Sequence, residues 1–384
     1  MIKSYSALTN EIDDIELAVS EVISQLEPEK NCLTSTVAIV TCYYEFATSG
    51  FVAELYKKLK FPIVGTTTTS ISTNIGFSQL GFSILMITSD DTTFTAACSP
   101  SLADGLDKPF EQMYKDALVG HEEAPKLIIS QGPLMLSYAG DHFVEALDRV
   151  TGGVPNFGTL AIDNTADYSD SYVVYNDRVE KDAYGIIVAS GNIQPKFLYA
   201  SFSPEYIFTQ KAVITKASGN LIQEIDNAPA IAYMEKVGLT ENGKVSDVLH
   251  SVPFVLDYAG KGIPVSRVLL AWNEDGYGVC GGLMPEKTVF SLAIWDKTNV
   301  LSTTENVIET VLKNENANTL ILYSCLARSY SLGTDLLAET KRVNDTVGGK
   351  TPYIFSYSGG EICPTTDNAN SNNFHNNTVI ACVF

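Results

Sequence analysis

Three stretches of this 384-residue chain combine residue types that can hold a small molecule. They are Gly65–Ser70, Gly158–Asp163, and Ser356–Glu361 taken together with Ser324–Arg328. Each is a strand-end corner rich in hydroxyl groups and glycine. In open α/β architectures ligands settle where strand ends and such turns converge, and glycine lets backbone amides come close. Arg328 and Glu361 are the charged members of the third corner. A guanidinium grips a carboxylate through two hydrogen bonds, and a carboxylate holds an ammonium group. Together they suit a zwitterion such as an amino acid, or they pair with each other, as buried charges usually do. Asp163 offers a further acceptor, or it caps the turn before Asn164 and Thr165.

Other chemistries have less behind them. Cys42 and Cys325 both end apolar runs beside small polar residues, so a thiol-dependent hydrolase using either one is an alternative. A catalytic thiol needs a base or a cationic setting to become a thiolate. None of the four histidines (His121, His142, His250, His375) lies in a motif with a cysteine. No CxxC, HExxH or glycine-rich phosphate loop is present, so neither a metal nor a nucleotide is expected. His375, in Phe374-His-Asn376, is the best single candidate for a haem axial ligand, and a hydrogen-bonding histidine is the simpler account of it. The expectation is a binding protein without catalysis and without a cofactor, a haem-dependent gas sensor being the other alternative.

The elements that must position the corners repeat along the chain. Val37-Ala-Ile-Val-Thr-Cys42 reads as a buried strand, followed by a helix around Gly50 to Leu59, Pro62, and the strand Ile63-Val64-Gly65. Lys126–Ser130 opens the same series, with a helix over Asp141–Val150, Pro155, and Phe157–Leu160. Leu320–Cys325 opens it again, with a helix over Gly333–Asn344, Pro352, and Tyr353–Phe355. This is βαβ-like logic, in which the helix covers a sheet face and proline marks the start of the second strand. Glu11–Leu26 has helical spacing with Asn10 placed to cap it. Antiparallel patterns lie between the units: two runs in Ser78–Ala97, two in Ser171–Ser190, a hairpin over Ala212–Ile225, and another over Val265–Val279. Asp226 and Asn227 stand where they can cap a helix through Pro229 to Val237, and Asp367–Asn377 reads as a polar loop. The fold class is α/β, with mixed sheets, βαβ-like repeats and antiparallel hairpins, in two domains, 1–217 and 218–384.

Composition limits the partners. The 45% hydrophobic and 18% charged shares describe a folded chain. A formal charge of −20 excludes most nucleic-acid binding and opposes adhesion to anionic membranes. No apolar run approaches the roughly 20 residues needed to cross a bilayer, and Met1–Asp14 lacks the features of a signal peptide. Seven scattered cysteines without a CxxC pair suit reduced thiols in the cytoplasm.

Several of these motifs together resemble the FIST family of sensor proteins (F-box and intracellular signal transduction). Leu322-Tyr-Ser-Cys-Leu-Ala-Arg328, Pro352 to Ile362 with its Tyr-x-x-Gly-Glu-Ile corner, and Phe374-His-Asn-Asn-Thr378 are similar to its C-terminal half. Pro62–Thr67, Val154–Asp163 and the join Val213–Ala230 are similar to the rest. The chain departs from the pattern at Thr66–Thr69, where more glycine is expected, and at Phe157-Gly158-Thr159-Leu160. The resemblance implies a sensory module for small molecules, with amino acids the usual suggestion and haem with nitric oxide an alternative. It also implies a separate signalling partner as output, since the chain has no room for an output domain. Motif match and corner chemistry together nominate Gly65, Thr66, Thr67, Gly158, Asp163, Ser324, Cys325, Arg328, Ser356, Tyr357, Gly360, Glu361 and Asn376 as ligand-binding residues.

Overall fold

The computed structural model describes the whole chain except residues 136, 166–167, 242–243, 246–251, 258–264, 314–316 and 366–370. His250 and the start of the asparagine-rich segment therefore lie outside the described residues.

Each of the three repeated series folds as two parallel strands bridged by a helix. Ser35–Cys42 pairs with Ile63–Thr67, Pro125–Gly132 with Asn156–Leu160, and Leu320–Cys325 with Tyr353–Ser358. The bridging helices Phe51–Leu59, Gly140–Thr151 and Ala338–Val347 bury one apolar stripe each, for example Phe51, Val52, Leu55 and Leu59 in the first. The third helix starts five residues later than its spacing suggests. Gly333 has a φ of 62° with a ψ of −127°, which no helix contains, and the chain turns once more before Ala338. The first strand of each pair has an antiparallel neighbour on its other side: Phe82–Ser89, Gly185–Gly191 and Val379–Val383.

The units are then interlocked. The hairpin that leaves each corner adds to another unit's sheet. Ile71–Thr73 with Gly76–Ser78 extends the third unit, Val173–Tyr175 with Arg178–Glu180 the first, and Glu361–Pro364 with Asn372–His375 the second. The result is three six-stranded sheets of equivalent order. Their inner faces share one core, to which equivalent register pairs contribute: Ile39 with Val64, Ile129 with Phe157, Ile321 with Ile354. The helices cover the outer faces in separate clusters. An eight-stranded antiparallel sheet, running from Ile207–Ser218 to Thr288–Ala293, is set between the second and third units and has its own core.

Several local expectations change. The first helix spans Ile15–Leu26 and is capped by Asp14, whose side chain accepts from the Leu17 N–H, in place of Asn10. The two runs of Ser78–Ala97 do not pair with each other. Phe82–Ser89 is buried at all eight positions and so sits inside a sheet, whereas Thr92–Cys98 lies against Gly185–Gly191 in a different one. In Ser171–Ser190 the strands either side of Asn176–Asp177 do pair, Val173–Tyr175 with Arg178–Glu180, and only the later stretch Gly185–Gly191 lies in a different sheet. Asp226 and Asn227 have positive φ and form a turn, with the Asp226 carboxylate accepting from the Val213 N–H, so neither caps Ala230–Lys236. Val265–Arg267 leaves its expected hairpin to pair with Phe254–Asp257. Asn372–His375, in the segment read as a loop, is a buried strand whose asparagines supply hydrogen bonds.

Candidate functional site

The three corners meet. The Ile162 N–H donates to the Thr67 carbonyl, joining the second corner to the first. Leu160 N–H donates to Gly360 O, and Gly359 N–H to Leu160 O, joining the second to the third. Tyr357 N–H donates to Ser70 O, and the Thr68 hydroxyl to Tyr357 O, closing the ring. Side chains one layer below repeat the linkage. Thr66 donates to Gln131, Gln131 to the Tyr323 hydroxyl at 2.9 Å, and Thr159 to Ser358 at 2.7 Å. These polar groups occupy the strand ends because the apolar layer beneath them already fills the space between the sheets.

A cavity of about 370 Å³ opens beside this ring, within the range of small-molecule pockets. All three corners line it. Thr69 and Ser70 come from the first, Asp163, Asn164 and Thr165 from the second, and Tyr357, with Leu326 and Ser329 beyond Cys325, from the third. Ser70, Asp163, Ser329 and Tyr357 are buried and form the floor. Leu80, Tyr330 and Leu336 are exposed and form an apolar rim. Tyr168 faces Tyr330 with their hydroxyls 3.1 Å apart, and burial holds the Tyr168 phenol far above its ordinary pKa, so it stays protonated.

Of the thirteen nominated residues, Asp163 and Tyr357 line the cavity. Asp163 also caps its turn: one oxygen accepts from the Thr165 N–H and hydroxyl, the other from the Ser171 hydroxyl. Thr66 and Thr67 lie just below in the strand, Thr67 holding the Tyr172 backbone. Gly65 and Gly158 serve close packing. A Cβ on Gly65 would fall 1.8 Å from the Val40 carbonyl oxygen, and one on Gly158 2.3 Å from that of Ser130. Gly360 likewise leaves room for the Phe374 ring, 2.3 Å from where its Cβ would be. Asn376 is fully buried and packs over Gly281, just past the strand Gly278–Cys280, away from the cavity lining. Ser356 is buried within its strand.

Arg328 and Glu361 do not pair with each other. Arg328 meets Glu339 at 3.0 Å, both fully buried, and the same nitrogen donates to the Val300 carbonyl and to Thr303 and Thr304. Its guanidinium carbon lies 4.6 Å from the centre of the Trp295 ring, and Ser324 donates to Glu339 as well. Glu361 accepts from the Thr378 hydroxyl and N–H. Burial raises its carboxyl to about 8, against the lowering by the Thr378 and Ser358 hydroxyls and the Arg328 charge. Neither charge lines the cavity.

Cys325 and Cys42 are held as thiols. Burial, then the Glu361 charge, pushes Cys325 well above its ordinary pKa, and burial alone pushes Cys42 up to about 12. Protonated thiols in such surroundings are poor nucleophiles. His375 stacks on Tyr199 and its Nε2 contacts the Cys363 carbonyl, so the nitrogen a haem iron would need is engaged in the strand. Among the described residues no cluster of His, Cys, Asp or Glu could hold a metal ion, and no helix is long and apolar enough to cross a membrane.

Sequence reasoning missed Tyr168, Ser329, Tyr330 and Glu339. Ser329 and Tyr330 directly follow the Ser-Cys-x-x-Arg motif, and that adjacency was the available signal.

Two family descriptions match the chain: FIST N domain over residues 36–228 and FIST C domain over residues 229–364. No curated protein matches it. Among solved structures, cyanuic acid hydrolase from A. caulinodans is similar with a TM-score of 0.38 at 9% identity, over 100% of this chain and 98% of that one.

Proposed function

This chain belongs to the FIST family, and from that premise we propose that it is a small-ligand sensor whose receptor site is the cavity at the meeting of the three corners. FIST domains are associated with small-ligand sensing in signal transduction. The observation that carries the reading is the convergence itself: segments around residues 70, 163 and 357 line one space of about 370 Å³. Hydroxyls and a carboxylate on its floor suit a ligand bearing an amino group, as amino acids and related metabolites do.

Binding there bears on the whole molecule. A ligand touching Ser70, Asp163 and Tyr357 touches all three corners, so occupancy favours the closed ring over any opened form. We place this action in the cytoplasm, supported by the seven scattered cysteines of the sequence, with the bound state passed to a separate signalling partner.

A thermal-shift screen of the full chain against amino acids and related metabolites tests the reading. A ligand at about 100 times its Kd adds roughly 2.7 kcal/mol, a clear rise in Tm. Leu336→Trp, which adds bulk at the exposed rim, should abolish the rise without lowering the ligand-free Tm. A screen that leaves the Tm unmoved overturns the reading.

A further inference from the structure

Resting on the reading of this cavity as the sensing site, we infer that its ligand is an organic amine without a carboxylate, bound as a cation with Asp163 as its counter-ion. Among the described residues lining the cavity, Asp163 carries the one formal charge. It is 1% exposed, and among the described residues the donors it meets are neutral: the Thr165 N–H and hydroxyl and the Ser171 hydroxyl. Dipoles hold this carboxylate in place without cancelling its charge, and among the described residues no cation lines the cavity to balance its negative field. In a partly desolvated site that field selects cations far more strongly than it would in water.

The cation that a zwitterion's carboxylate would need is already in use. Arg328 is committed to Glu339 and sits against Trp295, outside the lining. A bound amino acid would bring its carboxylate close to Asp163 with no positive partner, and like charges brought together in such a site repel. The walls point the same way. The Tyr168 and Tyr330 hydroxyls bond each other, which fixes two rings at the cavity wall, and the negative face of an aromatic ring attracts a cation. The exposed Leu80 and Leu336 at the mouth offer apolar surface to the hydrocarbon part of the ligand.

Calorimetric titration of the full chain with phenethylamine, phenylalanine and 3-phenylpropionate separates the charges on one skeleton. Phenethylamine should bind at least tenfold more tightly than phenylalanine, and 3-phenylpropionate should not bind. Asp163→Asn keeps an acceptor for the Thr165 N–H and should weaken phenethylamine at least tenfold. Should that variant fold poorly, Tyr330→Ala, at an exposed position, should weaken it several-fold. The inference is overturned if phenethylamine does not bind, binds no better than the two acids, or is indifferent to both substitutions. If phenylalanine binds instead and Leu336→Trp abolishes its binding, the cavity remains the sensing site and the amine assignment alone is lost. A metabolite screen without any response removes both.

Discussion

Thr68 donates its hydroxyl to the carbonyl oxygen of Tyr357 at 2.9 Å, across 289 positions of sequence. The bond is one of the closures by which three distant turns become one surface, and it is fully buried. Tyr357 is also on the cavity floor, so the group that fastens the first corner to the third belongs to a residue a ligand would touch. The cavity owes its shape to the interlocking of the units more than to any one of them.

Thr68→Val keeps the volume and removes the donor. Leaving a buried carbonyl short of a partner costs about 1–3 kcal/mol, so the urea midpoint should fall with the m-value unchanged. A variant as stable as the parent would mean that the closure between these corners rests on the backbone alone.

The Arg328–Glu339 pair is buried on both sides, so removing one member strands the other charge. Arg328→Ala should destabilise the chain by about 3–5 kcal/mol, and the double replacement Arg328→Leu with Glu339→Leu should recover much of that loss. Denaturant titration of the single and double variants checks the coupling. A double-replacement loss equal to the sum of the two single losses would show that the two charges act independently.

How far the sequence reveals this depends on the range of each interaction. Strand, helix, proline and strand follow one another within about forty residues in each unit, so the three units show in local periodicity, and the polar strand ends mark the corners. The partner of a three-residue strand does not show. Ile71–Thr73 carries no pattern naming Tyr353–Ser358 as its neighbour, yet Ser72 and Tyr353 share a hydrogen bond across 281 positions. Glu339 is hidden for a different reason. Its helix looks as if it begins at Gly333, and an acid in a polar helix reads as solvated, whereas the later start turns Glu339 inward to Arg328. Asp163 shows both its roles, turn cap and cavity wall, because one residue performs both.

The thiols give a direct check on the hydrolase alternative. Five of the seven cysteines are buried, and Cys32 and Cys98 are half-buried. Iodoacetamide at pH 8 should therefore modify no more than these two in the folded protein, and all seven after denaturation, as counted by intact mass. Rapid single labelling of Cys325 or Cys42 in the native state would restore the case for an activated nucleophile.

Glu361 predicts how stability depends on pH. Its carboxyl is raised to about 8 in the folded chain, chiefly by burial, against about 4.3 for an exposed glutamate. Between those values the folded state holds a proton that the unfolded state has released, so stability falls as pH rises through this window. Below about 4.3 the contribution is fully present, and above about 8 it is lost. Glu361→Gln keeps an acceptor for the Thr378 hydroxyl and cannot ionise. The variant should lose this part of the slope and be more stable than the parent at pH 9, by an amount on the order of a few kcal/mol. Urea midpoints of both proteins between pH 5 and 9 decide it. Parallel curves would mean that Glu361 is charged in the folded protein throughout, with Arg328 and the Thr378 donors outweighing its burial.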